Sequence, residues 1–343
     1  MSYDSRQITR ALEELGQPRY RINQVLEWVW QRTISSYGEM TNIPKDVREA
    51  LAERAPLARP TIIEKQSSRD GTRKYLVEFA DGQHVEVVGL PTKDRLTVCA
   101  STQIGCAMGC SFCATGMGGL VRNLSATEIA DTVALVARDF GRRVSNVVMM
   151  GQGEPFANYD ETLEALRILN ASWGFGIGAR HLTVSTCGLL EGIKRFTAEP
   201  EQFTLAISLH SARQKTRDQM MPGVSTQPLD KLKDALNEYY EKTGRRPTLE
   251  YALIVGVNDT SEEIDALGKF ASAIGAHVNL IPLNVWDDDG AGKDTRPLAP
   301  TPAAQTADIV TLLRNRYGVE ATLRARRGAD IDAACGQLRS RRR

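Results

Sequence analysis

The chain has 343 residues, 42% of them hydrophobic and 25% charged, and its 43 basic and 42 acidic side chains leave a net charge of +1. That composition is globular, and a chain this long buries roughly three quarters of its unfolded surface, so no disulfide or metal is needed to make a core. The charge balance excludes a global pull toward nucleic acid but not a local basic patch, and no apolar run reaches the roughly 20 residues that a membrane-spanning helix requires.

Residues 1–58 read as a small helical domain. In QITRALEEL, Ile8, Leu12 and Leu15 share one face, and Gly16 and Pro18 end the pattern. A second helix, roughly 20–32, carries Val25, Leu26, Val29 and Trp30, and a third runs from near Pro44 to Arg54. Arg19, Arg21, Arg32, Lys45 and Arg48 lie on these helices, either as solvated faces or as a basic surface. The start MSYDSRQITRALEELGQ has no apolar core of a secretory signal, so the expected compartment is the cytoplasm, where thiols stay reduced.

Between 59 and 95 the period changes to two. The turns Arg69-Asp70-Gly71 and Asp81-Gly82 separate short alternating runs, which predicts a β-meander; Glu86 sits between Val85 and Val87 and faces away from them. From 96 to 338 strand and helix patterns alternate. Strands are predicted at 96–100, 144–150, 181–186, 204–210, 248–254, 277–283 and 319–325. Ser125-x-x-Glu128 and Thr260-x-x-Glu263 are helix-capping signals, and Pro228 and Pro302 open two further helices. The period is that of parallel β/α units, and seven strands are too few for a closed eight-fold barrel. A basic tail follows at 339–343.

Six cysteines stand at 99, 106, 110, 113, 187 and 335, four of them within fifteen residues, which suggests a metal site rather than a disulfide framework. Cys106-x3-Cys110-x2-Cys113 follows a predicted strand. Three thiolates can hold three irons of a four-iron cubane and leave the fourth open to a chelating amine and carboxylate. The alternative is zinc with Cys99 as a fourth thiolate, although zinc pairs are usually spaced by two or four residues. Cys335 is placed on a predicted helix after the turn Arg327-Gly328-Ala329-Asp330, where a helix N-terminus would favour its thiolate. Arg314, Arg316, Arg324, Arg326 and Arg327, with Arg339, Arg341, Arg342 and Arg343 in the tail, form a local basic density that could follow phosphates.

An aromatic residue, Phe112, precedes the last cysteine of the motif. The segments CASTQIGCAMGCSFCATG (99–116), GQGEP (151–155), TVSTCG (183–188), AISLH (206–210), NLIPLN (279–284) and RGADIDAACGQL (327–338) span the chain. In these the sequence resembles the bacterial dual-specificity adenine-C2 methyltransferases of 23S rRNA and tRNA, within the radical S-adenosylmethionine superfamily. The resemblance implies an α/β fold, an incomplete (β/α) barrel with a helical, RNA-holding N-terminal domain and a β-meander linker. It implies one [4Fe-4S] cluster on Cys106, Cys110 and Cys113, and S-adenosylmethionine at Gly153, Glu154, Ser185, Ser208, Leu209, His210 and Asn284. It further implies a methyl-carrying Cys335, a resolving Cys99 that later forms a disulfide with it, and Glu86 as proton acceptor. Two S-adenosylmethionine molecules are consumed, one to methylate Cys335 and one to generate a radical.

The expected partners are 23S rRNA before complete ribosome assembly, tRNA, and an electron donor such as flavodoxin or ferredoxin. No membrane is expected, and the chain is expected to be a monomer. The alternative within the superfamily is the sister group that methylates adenine at C8. Departures from the family pattern are Gln152 and Phe156 in GQGEPF, Cys187 in STCG, and WDDDGAG after Val285. Cys187 reads as a small buried hydrophobe.

Overall fold

The computed structural model describes residues 5–285 and 298–339. The WDDDGAG stretch and the tail arginines 341–343 lie outside the described residues.

Three helices open the chain: α1 (Ser5–Glu14), α2 (Arg19–Trp30) and α3 (Lys45–Arg54). Ile8, Leu12, Val25, Val29, Trp30 and Leu51 are buried between them, as the helical spacing predicts. Arg59 ties this domain to the barrel, donating to the Val29 carbonyl and pairing with the Asp131 carboxylate.

The meander forms as β1 (Thr61–Ser67), β2 (Arg73–Glu78) and β3 (His84–Pro91), all antiparallel, with turns at the two predicted glycines. Next come β4 (Leu96–Ala100), a hairpin of β5 (Gln103–Gly105) and β6 (Leu120–Asn123), and α4 (Ala126–Phe140). Both members of the α4 capping box, Ser125 and Glu128, make their bonds. The barrel continues through β7 (Asn146–Met149), α5 (Tyr159–Asn170), β8 (Leu182–Thr186), α6 (Leu190–Ala198), β9 (Thr204–Ser208), α7 (Gln214–Met220) and α8 (Leu229–Thr243). It ends with β10 (Thr248–Leu253), α9 (Ser261–Ala273), β11 (His277–Pro282), α10 (Ala303–Tyr317) and β12 (Ala321–Leu323).

One ten-stranded sheet runs β1-β2-β3-β4-β7-β8-β9-β10-β11-β12. From β4 onward every pairing within this sheet is parallel, so seven strands make an incomplete barrel, extended at one edge by the meander. The central strands bury residues on both faces, which explains their continuous apolar runs. Loops leaving the carboxyl ends of these strands converge on one cavity, as they do in β/α barrels generally.

Two expectations are corrected. The strand predicted at 319–325 shrinks to three residues, because Arg324 onward turns in over the barrel mouth. The helix predicted under Cys335 does not form: a single 3-10 turn covers Ala329–Ile331, and Gly328, Asp332 and Gly336 all take positive φ, which breaks any α-helix there. Cys335 therefore has no helix dipole behind it.

Candidate active site

A cavity of about 660 Å³ lies at the mouth of the barrel. Of the residues singled out above, it is lined by Cys106, Cys110, Cys113, Gly153, Glu154, Ser185, Ser208, His210, Asn284, Cys99 and Cys335. Glu86 and Leu209 are not on its wall. Leu209 points into the hydrophobic core, and its N–H donates to the Glu250 carbonyl at 3.0 Å.

Backbone hydrogen bonds from several segments fix the cysteine loop. Cys106 N–H donates to Gly119 O at 2.9 Å, Ser111 N–H to Met220 O at 2.9 Å, Gly223 N–H to Met108 O at 3.0 Å, and Ala114 N–H to Gly336 O at 2.7 Å. Its three thiols line the cavity. Burial pushes Cys106 up to about 11 and raises Cys110 further still, with the neighbouring thiols adding to each. Among the described residues, no three His, Cys, Asp or Glu side chains come close enough to share one metal ion. Zinc needs such convergence, whereas a cubane binds each thiolate at a different iron. Cys99 completes no zinc site; it stands on β4 opposite Val88, packed with Ala333 and Leu338.

The turn after β7 brings Glu154 beneath the loop. Gly151 and Gly153 are required there, since a Cβ would meet Ser101 Oγ at 2.5 Å and Gln103 Cβ at 2.5 Å respectively, and Gly153 also has φ +99°. Glu154 is 3% exposed; its Oε1 accepts from Phe156 N–H at 2.9 Å and its Oε2 from Cys187 N–H at 2.7 Å. Burial raises its pKa, and the Cys187 and Phe156 amides oppose that rise. Ser185 Oγ and Ser208 Oγ are 3.3 Å apart on adjacent strands. His210 Nδ1 accepts from Ala252 N–H at 2.9 Å, and its ring meets Phe112 edge-on at 4.6 Å.

Asn284, Cys335 and Cys99 line the same cavity. Asn284 Nδ2 donates to the Cys335 carbonyl at 3.2 Å. Cys99 and Cys335 are both free thiols on the cavity wall. Burial, then the neighbouring Cys335, pushes Cys99 up to about 12. Glu86 lies just behind, ion-paired with Lys74 at 2.9 Å and accepting the Arg339 N–H. Thr115 Oγ1 donates to Leu338 O at 2.8 Å, so residues 335–339 fold over Glu86.

Two family models match: "Radical SAM superfamily" over residues 101–271 and "Ribosomal RNA large subunit methyltransferase N-terminal domain" over residues 1–57. A probable dual-specificity RNA methyltransferase RlmN of Pelotomaculum thermopropionicum is 45% identical over 97% of this chain and 89% of its own. That of Alkaliphilus oremlandii is 42% identical over 99% and 96%. The chain belongs to the dual-specificity RNA methyltransferases of the radical S-adenosylmethionine superfamily. A crystal structure of a radical SAM methyltransferase from Sphaerobacter thermophilus superposes with TM-score 0.89, at 42% identity over 99% of this chain and 98% of that one.

Members of this superfamily use a [4Fe-4S] cluster and S-adenosylmethionine. The residues present fit both groups. Three thiols spread around one cavity suit separate irons, and a buried carboxylate beneath them suits an ammonium group.

The loop's support gives a first expected result. A Cβ on Gly223 would sit 2.6 Å from Met108 Cα and 2.7 Å from Met108 O, inside the cysteine loop. Gly223→Ala is expected to displace that loop, lower the iron bound per chain and destabilise the fold by about 1–3 kcal/mol. Iron analysis and denaturant unfolding check it.

His210 gives a second. Burial, then the charge of Arg217, pushes it down to about 3, so it stays neutral in the folded chain. The unfolded chain takes up that proton near pH 6.5. Between 6.5 and 3 the unfolded state binds more protons, and stability falls as pH falls, by up to about 1.4 kcal/mol per pH unit from this group. His210→Gln is expected to flatten the pH dependence of the urea midpoint between pH 6.5 and 5. An unchanged slope would contradict it.

Sequence reasoning missed Arg217 and Glu250, and read Arg324 only as part of a basic density. Arg217 is fully buried, donates to the Cys187 carbonyl, and leaves Nε and Nη1 without hydrogen-bond partners. Glu250 and Arg324 line the cavity, with Arg324 Nη1 3.6 Å from Glu250 Oε2. Arg324 lies just beyond the carboxyl end of β12, the signal available for it, whereas Glu250 is within β10 and Arg217 within α7. Arg324 is thus turned inward, and Arg327 is committed to Asp70, at 3.4 Å; neither is the free phosphate contact suggested by local basic density. Cys187 packs with Met220, Met221, Val224, Ile254 and Leu283, as a small buried hydrophobe does.

Proposed function

We propose that this chain methylates C2 of adenine in 23S rRNA and in tRNA, through a methyl group carried on Cys335. The juxtaposition of Cys99 and Cys335 in the cavity of the three-cysteine loop carries this reading. Radical chemistry on a small molecule would need the cofactor pocket but no paired thiols.

When bound, the cluster and S-adenosylmethionine supply the methyl group and the radical that removes a hydrogen from it. Cys106, Cys110 and Cys113 hold the cluster. Glu154 orients the cofactor's ammonium, and Ser185, Ser208, His210 and Asn284 line its pocket. Cys335 accepts the methyl as a thiolate, since C2 of adenine has no electron pair to attack a sulfonium methyl itself. Glu86 accepts the C2 proton after residues 335–339 lift from it. Cys99 attacks the Cys335 sulfur and frees the product, leaving a disulfide that thiol exchange reduces.

The assigned domains follow: 1–58 holds RNA, 59–95 carries Glu86, and 96–338 is the catalytic barrel. An electron donor of the flavodoxin or ferredoxin type, a monomeric state and a cytoplasmic location complete the reading. Among the described residues no helix is long and apolar enough to cross a membrane.

Anaerobic assay on unmodified 23S rRNA and tRNA, with chromatographic separation of the methylated nucleosides, tests the assignment. The expected product is 2-methyladenosine from both RNAs. Production of 8-methyladenosine alone would overturn it.

A further inference from the structure

If Cys335 has no helix terminus behind it, some other group must stabilise its thiolate. Three arginines follow β12 into the cavity wall. Arg326 donates to the Leu283 carbonyl at 2.8 Å, and Arg327 to the carbonyls of Asp70 and Pro91 at 3.0 and 2.8 Å. Arg324 differs. Its Nη1 lies 3.6 Å from Glu250 Oε2 and 3.5 Å from the sulfur of Met150. Met150 follows β7, whose Val148 is the register partner of Cys99. Glu250 is 3% exposed, and its Oε1 accepts from Asn279 Nδ2 at 3.0 Å. The guanidinium is thus held from β10, and Arg324 lines the same cavity as Cys99 and Cys335.

We propose that Arg324, clamped by Glu250, is the positioning cation of the thiol pair, holding Cys335 and then Cys99 as the thiolates that attack. This rests on the relay proposed above. In the first attack a bond forms from Cys335 sulfur to the methyl carbon. The methyl–sulfonium bond breaks, and its electron pair leaves on a neutral thioether. In the second, a Cys99–Cys335 bond forms and the bond from Cys335 sulfur to the RNA-linked carbon breaks; the pair stays on that carbon, which takes a proton from water. Both attacks need an anionic sulfur, which a neighbouring guanidinium favours.

The surrounding charges leave this role to Arg324. From β3, Glu86 is paired with Lys74. From β10, Glu250, whose pKa burial raises, has Arg324 Nη1 3.6 Å from its Oε2. Arg95, in the turn before β4, is exposed. Arg324 is also the cation that opposes the upward push on Cys99.

The test is site-resolved alkylation of the cluster-loaded enzyme by iodoacetamide under anaerobic conditions, from pH 6 to 10, read by peptide mass spectrometry. The native labelling profile of Cys335 is the reference against which the variants are read. Arg324→Gln is expected to raise its midpoint and slow labelling at pH 7 at least about tenfold, one unit of pKa. Arg324→Lys keeps the charge and is expected to label within about threefold of native. A Gln variant whose profile overlays the native one overturns the proposal, as does a Lys variant as slow as the Gln one. Neither result touches the relay, which fails separately if Cys335→Ala still methylates RNA.

Discussion

Cys335→Ala is expected to yield no methylated RNA and no protein–RNA adduct while binding as much iron as the native chain. The cluster thiols belong to a loop held by Gly119, Met220 and Gly336 backbone groups. None of those bonds uses the Cys335 side chain, so its loss leaves the cradle intact. Cys99→Ala should behave oppositely. The methyl carrier is present and addition to RNA proceeds, but no thiol stands beside Cys335 to release the product. Protein crosslinked to RNA then accumulates, visible as a nuclease-sensitive band of retarded mobility. In the proposed relay the two residues act in series, so neither single loss is expected to leave partial turnover. If both variants lost iron, they would be cluster ligands instead, and the relay would be misassigned.

Glu86→Gln carries two expected effects that must be separated. As proton acceptor, its loss should lower product formation by about 100-fold or more. As the partner of Lys74, at 2.9 Å and buried, its loss strands a cation in the interior, which typically destabilises by about 3–5 kcal/mol. Methylation of Cys335 distinguishes them. That step precedes proton removal, so a folded Glu86→Gln enzyme should still carry methyl on Cys335, read by peptide mass spectrometry. The double variant Lys74→Met with Glu86→Gln removes the stranded charge, and should regain stability without regaining product. Restored product in that variant would show that Glu86 acts only through the fold.

Much of the fold was legible because its signals are local. Apolar runs at 96–100, 204–210 and 248–254 became buried parallel strands, and Ser125-x-x-Glu128 became a capping box. The cysteine spacing marked a site before any geometry was known. What escaped depends on distant contacts. The β5–β6 hairpin has strands of only three and four residues, too short to show alternation. Helix α7, QKTRDQM, is polar, yet it buries Arg217 completely. The segment DIDAACGQL has helix-forming composition, but Gly328, Asp332 and Gly336 adopt left-handed backbone, as the tight path between β3 and the cysteine loop demands. Arg324 looked like a surface cation because its partner, Glu250, is 74 residues away and is brought near only by β11 lying between β10 and β12.

Everything rests on Cys106, Cys110 and Cys113 leaving one iron of a cubane open to S-adenosylmethionine. The most direct measurement is electron paramagnetic resonance of anaerobically reconstituted, reduced protein, with and without added S-adenosylmethionine. The account predicts a four-iron signal whose g-values move when the sulfonium is added, and no such signal in a Cys110→Ala variant. A protein that shows no four-iron signal, or one indifferent to S-adenosylmethionine, would contradict it.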